Sequence, residues 1–234
     1  VSLTFDDARY SQVDVGIPLF DRCGVKATFY VSPERMTERL DAWKAALATG
    51  HEIGNHSVRH PCTGNFSWAR HKALEDYTLA EMAAELDEAS DLIEKSLGVR
   101  PVSFAYPCGQ KYVGRGENVE SYVPLVARKF VTGRGWLDEG PNDPAFCDPA
   151  QLMAMELDGL TFEQLKDLLD DAVEKGAWLV LCGHEIGAEG RHQTVRVDTL
   201  RAFCEYAQDP AKGLWVAPVG EIARYVTAHR APLD

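Results

Sequence analysis

The sequence has no Cys-x-x-Cys pair, although it has six cysteines, Cys23, Cys62, Cys108, Cys147, Cys182 and Cys204. That spacing gives no pattern for a zinc ribbon or a thioredoxin-like site, and the thiols read as buried free cysteines packed in the core or around a tight pocket. It has no apolar run long enough to cross a bilayer, which excludes a membrane span but not a peripheral role. It also has no Lys/Arg-rich run, and the formal net charge is −12, which argues against a nucleic-acid partner. Neutral or cationic substrates fit this acidity better than polyanions. Neither an internal repeat nor a linker-like segment divides the chain. No Met and no signal peptide precede Val1, which already lies on a core-like strand. A trimmed N-terminus, with targeting information removed, is therefore expected.

What is present alternates. Apolar, β-branched runs at Val1–Phe5, Lys26–Val31, His51–Ile53, Val102–Tyr106, Val131–Gly133, Leu152–Leu157, Trp178–Cys182 and Leu214–Ala217 read as strands. Helical spacing falls between them. Examples are Pro33 to about Ala48, Leu79 to Leu97 stopped by Gly98, and a helix capped by Thr161. Up to eight strands and about seven helices in a chain of 234 residues predict an α/β fold of the distorted (β/α)7–8 barrel type. One domain over 1–234 is expected, since such barrels run to roughly 250 residues. Two stretches without a period, 61–77 and 135–149, read as long loops beside the strand ends.

Chemistry-bearing residues collect at the predicted C-terminal strand ends, where a barrel places its active site. The first strand runs into the acidic pair Asp6-Asp7. The third precedes His56 and His60, four residues apart and on one face if that stretch is a helical turn. Two imidazoles and one carboxylate make a three-ligand metal set with a position left open, the arrangement of catalytic rather than structural sites. The second carboxylate of the pair is then free to accept a proton. His184 follows the strand Trp178–Cys182 and adds a third imidazole at the same end.

Four stretches resemble the polysaccharide deacetylases of carbohydrate esterase family 4, the NodB homology domain. They are Thr4-Phe5-Asp6-Asp7, His56-Ser57-Val58-Arg59-His60, Phe104-Ala105-Tyr106-Pro107-Cys108-Gly109 and Leu179-Val180-Leu181-Cys182-Gly183-His184. The resemblance implies a divalent metal, zinc first with cobalt, nickel or manganese as alternatives, held by Asp7, His56 and His60. It implies Asp6 as base on metal-bound water, His184 as acid and the backbone N–H of Cys108 as oxyanion donor. The chain departs from the family pattern in three places. Ala105 stands where an arginine usually braces the base, which leaves Arg9, Arg59 and Arg134 as candidates for that task. Cys108 replaces an aromatic residue, and Gly159 stands where a Trp is expected after Asp158, which is a candidate to orient His184.

The function these expectations describe is a metal-dependent hydrolase that removes acetyl groups from N- or O-acetylated carbohydrate. Its partner would be an acetylated glycan or oligosaccharide. Tyr106, Pro107, Leu181, Trp68 and Trp136 are the candidate substrate contacts. A hydrolase of a small cyclic amide or imide, or a catalytically silent carbohydrate-binding domain, are the alternatives; a silent domain has no need of Asp6 and His184. A glycan substrate implies a secreted, periplasmic or cell-surface location.

Overall fold

All five residues of strand β1, Ser2–Asp6, are buried, as a strand covered on both faces requires. The computed structural model describes residues 1–189 and 192–231. In it β1 is joined by β2 (Thr28–Val31), β3 (Glu52–Asn55), β4 (Ser103–Ala105), β5 (Thr132–Arg134), β6 (Met155–Glu156) and β7 (Val180–Gly183). These seven form one sheet in the order β5-β4-β3-β2-β1-β7-β6, with every neighbouring pair parallel. The sheet curls until its edges meet. Arg134 at the end of β5 bridges Leu152, just before β6, and the Leu152 N–H donates to the Gly133 carbonyl at 2.8 Å.

Helices wrap the outside: α1 (Ile17–Cys23), α2 (Pro33–Thr37), α3 (Leu40–Ala48), α4 (Leu79–Leu97), α5 (Val123–Lys129), α6 (Phe162–Lys175), α7 (Val197–Ala207) and α8 (Val219–His229). Their ends follow local chemistry. Thr78 and Glu81 form a capping box on α4, Thr161 and Gln164 another on α6, and Gly98 and Gly176 close those helices in left-handed conformations. Phe5, Phe20, Phe29 and Trp43 pack between β1, β2, α1 and α3 with ring centroids 5.5–5.6 Å apart, and all four are fully buried. This cluster fixes the strands that carry the acidic pair.

Three expectations are corrected. Leu214–Ala217 is not a strand. β1 already has β2 and β7 on its two sides, so no ladder edge remains, and Leu214–Ala217 only touches the start of β1, where the Ala217 N–H donates to the Val1 carbonyl at 3.1 Å. The single helix expected from Pro33 is two helices, because Arg39 (φ −132°, ψ 37°) breaks it. The pair His56/His60 does not lie on a helical turn. It lies on an irregular loop after β3 in which Ser57 (φ 62°) and His60 (φ 52°) are left-handed.

Gly54 in β3 shows how tightly the site-bearing strands are packed. A Cβ there would lie 2.4 Å from the Tyr30 ring and 2.7 Å from Ser103 Oγ. Gly54→Ala is therefore expected to destabilise the fold by roughly 1–3 kcal/mol. Urea unfolding should show a lower midpoint at unchanged slope, and an unchanged midpoint would contradict this packing.

Candidate active site

The strand ends open into a cleft of about 870 Å³ lined by Asp6, Asp7, His56, His60, Cys108 and His184, with Trp68 and Trp136 on its walls. Four non-glycine residues of the cleft lining have left-handed backbone: Asp7 (φ 74°), His60 (φ 52°), Cys108 (φ 54°) and Gln193 (φ 52°). Such conformations cost free energy and persist only where surrounding contacts enforce them. Several enforcing contacts are visible around the histidine loop. Asn55 accepts from the Ser57 N–H at 2.7 Å and donates to the Leu86 carbonyl of α4 at 3.0 Å. The Ser57 hydroxyl accepts from the His60 N–H at 3.0 Å, while the buried Glu85 of α4 accepts from the backbone and side chain of Arg59. Helix α4 thus holds the loop from beneath.

Asp7, His56 and His60 form a group whose donor atoms all lie within 4.8 Å of one another. Asp7 Oδ1 is 3.6 Å from His56 Nε2 and 3.7 Å from His60 Nε2. Ligands about 2.1 Å from a tetrahedral ion lie roughly 3.4 Å apart, so these separations fit one shared ion. The neighbouring contacts fit too. His56 Nδ1 donates to the Ala105 carbonyl at 3.0 Å, which leaves Nε2 bare, and Arg9 takes Asp7 Oδ2 at 2.8 Å, which leaves Oδ1. For Asp7, burial works against the charge, but His56 and His60 outweigh it and hold the carboxyl below the usual range. Burial, followed by the proximity of His56, pushes the His60 imidazole down to about 4, so at neutral pH it is an unprotonated donor.

Asp6 has its own partners, although its Oδ2 lies 3.9 Å from His56 Nε2. Its Oδ1 accepts from Arg134, which is fully buried, and its Oδ2 accepts from the Cys182 thiol at 3.5 Å. Burial of Asp6 disfavours charge, but Arg134, then His56 and His184, more than offset this and keep the carboxyl well below its ordinary value. Arg134 sits directly across from Ala105 in the β4–β5 register, so the guanidinium reaches Asp6 from the neighbouring strand. Its Nη1 also donates to the Gly135 carbonyl at 2.7 Å, and its carbon Cζ lies 4.8 Å from the Tyr30 ring centre. Of the other two candidates, Arg9 serves Asp7 and Arg59 serves Glu85.

His184 lies beside Asp6, a ring nitrogen within 4.8 Å of its carboxylate; its Nδ1 donates to Asp158 Oδ2 at 2.6 Å, while its backbone N–H donates to Asp158 Oδ1 at 3.1 Å. Burial opposes an imidazolium here, yet the Asp158 hydrogen bond and the carboxylates of Asp6 and Asp7 raise His184 above the usual histidine value. Trp136 packs edge-on against the ring at 5.4 Å. The Gln12 side chain, buried, donates to the carbonyls of both Asp6 (2.6 Å) and His184 (3.0 Å) and so ties the two strand ends together. The Cys108 N–H donates to no group among the described residues, and Cys108 lines the cleft.

A model of the family described as "Polysaccharide deacetylase" matches residues 1–122. The chain belongs to the polysaccharide deacetylase family. The motif resemblance to carbohydrate esterase family 4 points the same way. Over 93 residues this family member is 31% identical to the uncharacterized protein YlxY of Bacillus subtilis (strain 168), covering 40% of this chain and 26% of that protein. Over 62 residues it is 39% identical to the peptidoglycan-N-acetylglucosamine deacetylase PgdA of Listeria monocytogenes serotype 1/2a (strain 10403S), covering 26% of this chain and 13% of that one. The matched segments thus span about a quarter or less of these relatives. In fold, the crystal structure of a putative polysaccharide deacetylase from Mycobacterium smegmatis superposes with a TM-score of 0.67 at 17% identity, covering 100% of this chain and 92% of that one.

Within this deacetylase-family fold the expected residues divide into two sets. Asp6, Asp7, His56, His60, Cys108, His184, Trp68 and Trp136 meet at the cleft, with Asp158 directly behind His184. Tyr106, Pro107 and Leu181 do not line it. All three are buried; Tyr106 donates to the Ala150 carbonyl at 2.8 Å, and Leu181 points into the core opposite Cys182. The alternation of a strand explains the latter, since neighbouring residues of β7 face opposite sides. The cysteines are not all free: Cys62 and Cys108 form a disulfide. The cleft wall also departs from the acidity of the chain, with Arg9, Arg35, Arg59 and Lys72 beside Asp6, Asp7 and Glu34. Gln12 and the Cys182 contact to Asp6 carry no sequence signal beyond their closeness to the motifs.

Removing Arg134 would leave Asp6 as a buried charge without its partner. Arg134→Met is expected to cost about 3–5 kcal/mol, and Asp6→Asn/Arg134→Met to recover part of that loss. Denaturant unfolding of the two variants checks this; a double variant no more stable than Arg134→Met would show that the two side chains are not coupled.

Proposed function

We propose that the protein is a metal-dependent hydrolase that removes acetyl groups from N- or O-acetylated carbohydrate. The observation that carries the reading is the separation of roles in the acidic pair: Asp7 faces His56 and His60, while Asp6 is turned to Arg134 and Cys182 in the same cleft as His184. Asp7, His56 and His60 would hold the ion, and a mixed oxygen and nitrogen donor set suits zinc, with cobalt, nickel or manganese as alternatives. Bound there, such an ion supplies Lewis acidity and brings the pKa of a water towards about 7.

The chain's own residues then have distinct tasks. Asp6, ionised and oriented by Arg134, takes the proton of the attacking water. The Cys108 N–H donates to the oxygen on which negative charge develops, a contact typically worth about 3 kcal/mol of barrier. His184, whose hold on its proton Asp158 strengthens, delivers that proton to the departing amine or alkoxide; an amine leaves poorly without one. Phe66 and Trp68, stacked with centroids 5.6 Å apart and both half-exposed on the cleft wall, offer an apolar surface for a sugar face. The relative named for peptidoglycan N-acetylglucosamine supports an acetylated glycan as substrate, and a disulfide together with such a substrate fits a location outside the cytoplasm. No helix among the described residues is long and apolar enough to cross a membrane.

Acetate release from acetylated chito-oligosaccharides and acetylated xylan tests the reading. Metal-stripped protein should release none, and adding zinc or cobalt should restore release on at least one substrate; release that ignores metal would overturn it. His184→Ala is expected to slow amide substrates far more than activated esters, and equal losses on both would remove it as the acid. Activity needs His184 protonated, and Asp158 raises its pKa. Asp158→Asn should therefore move the alkaline fall of kcat/KM to lower pH, and a limb that stays in place would show that His184 does not set it.

A further inference from the structure

The disulfide joins two loops that the proposed chemistry uses at once. Cys62 lies two residues after His60, and Cys108 supplies the N–H assigned above to the oxyanion, 46 residues further along the chain. Both attached residues are held in left-handed backbone, His60 at φ 52° and Cys108 at φ 54°. Cys62 Sγ is also 3.6 Å from His60 Nδ1, the ring nitrogen turned away from Asp7. Where His56 Nδ1 meets a backbone carbonyl, His60 Nδ1 meets the sulfur of the bridge. Beside the bridge, the Thr63 N–H donates across the two loops to Gln110 Oε1 at 2.7 Å.

We propose that the Cys62–Cys108 disulfide is a positioning element of the hydrolytic centre, holding the Cys108 N–H in register with the Asp7–His56–His60 group, so that the oxidised protein is the active form. This rests on the deacetylase reading, since the N–H matters only if an oxyanion forms beside it. A dithiol reductant supplies two electrons and two protons. The S–S bond breaks, Cys62 and Cys108 become thiols, and the reductant closes to its own disulfide. The loop at Cys108 is then free to leave its left-handed conformation, and the N–H moves away from the position where charge develops. A misplacement on the order of 1 Å is enough to cost about 10²-fold in rate. The ligand set itself loses no member.

The test compares oxidised, reduced and reoxidised protein. Under denaturing conditions the oxidised chain should show four titratable thiols, those of Cys23, Cys147, Cys182 and Cys204, and six after reduction. Reduction should lower kcat on acetylated oligosaccharide about 10²-fold with KM little changed and with metal content per chain constant. Reoxidation should restore kcat. Cys62→Ser/Cys108→Ser should be slow from the outset and indifferent to reductant, while Cys147→Ser should behave as the parent. Hydrogen exchange should quicken on reduction in peptides covering 57–63 and 106–112 and stay constant in α4.

An oxidised chain with six thiols, a kcat unmoved by confirmed reduction, or a fall in kcat that tracks metal loss would each overturn the proposal. If the oxidised protein releases no acetate from any acetylated glycan, the deacetylase reading fails. The thiol count and the exchange pattern still decide whether the bridge holds the two loops: unchanged exchange overturns that part, and quickened exchange at both supports it.

Discussion

Asp6 is buried at the cleft lining against the fully buried Arg134, and the geometry of the cleft depends on that pair. A lone carboxylate buried to this degree would take up a proton; a lone guanidinium there would unfold the strand end that carries it. Together they fix each other. The pairing ties Asp6 Oδ1 to Arg134 and leaves its Oδ2 3.9 Å from His56 Nε2, while Asp7 Oδ1 lies 3.6 Å from His56 Nε2 and 3.7 Å from His60 Nε2, between both rings. Two chemically identical neighbours in sequence thereby acquire different environments. The sheet makes this possible, because β5 lies two strands from β3 and three from β2, and curls until Arg134 reaches Asp6 of β1 across the interior.

The rest of the site is a set of restraints on strand ends. Gln12 ties the carbonyl of Asp6 to that of His184, Asn55 and Glu85 bind the histidine loop to α4, and Asp158 fixes both the backbone and the ring of His184. Left-handed backbone at Asp7, His60 and Cys108 is the cost of bringing these three residues into the lining of one cleft. Few of these restraints are strong alone. Their number is what makes the arrangement rigid, which is what a centre acting by preorganised charge requires.

Much of this was legible in the sequence where the physics is local. Strand periodicity, the helix stop at Gly98, the helix cap at Thr161, and the motifs at Asp6-Asp7 and His56 to His60 lie within a few residues of what they determine, and residues 1–122 carry the family match. What was not legible depends on residues far apart in the chain. Arg134 stood among three candidate arginines, and only the register of β4 and β5 separates it from Arg9 and Arg59. The disulfide joins residues 46 apart with no spacing signature. Leu181 and Cys182 differ only in which face of β7 they occupy, a one-residue question that the pattern of an all-apolar strand leaves open. The eighth strand failed for a related reason: Leu214–Ala217 has the composition of a strand but no free edge to join.

The division of labour between the two aspartates is the central claim, and metal content measured beside turnover in Asp6→Asn and Asp7→Asn tests it most directly. The account predicts that Asp6→Asn keeps about one ion per chain and loses most acetate release, because the ion is held elsewhere and the base is gone. Asp7→Asn should lose the ion along with activity. An Asp6→Asn protein that cannot hold metal, or an Asp7→Asn protein that holds it as tightly as the parent, would contradict the assignment.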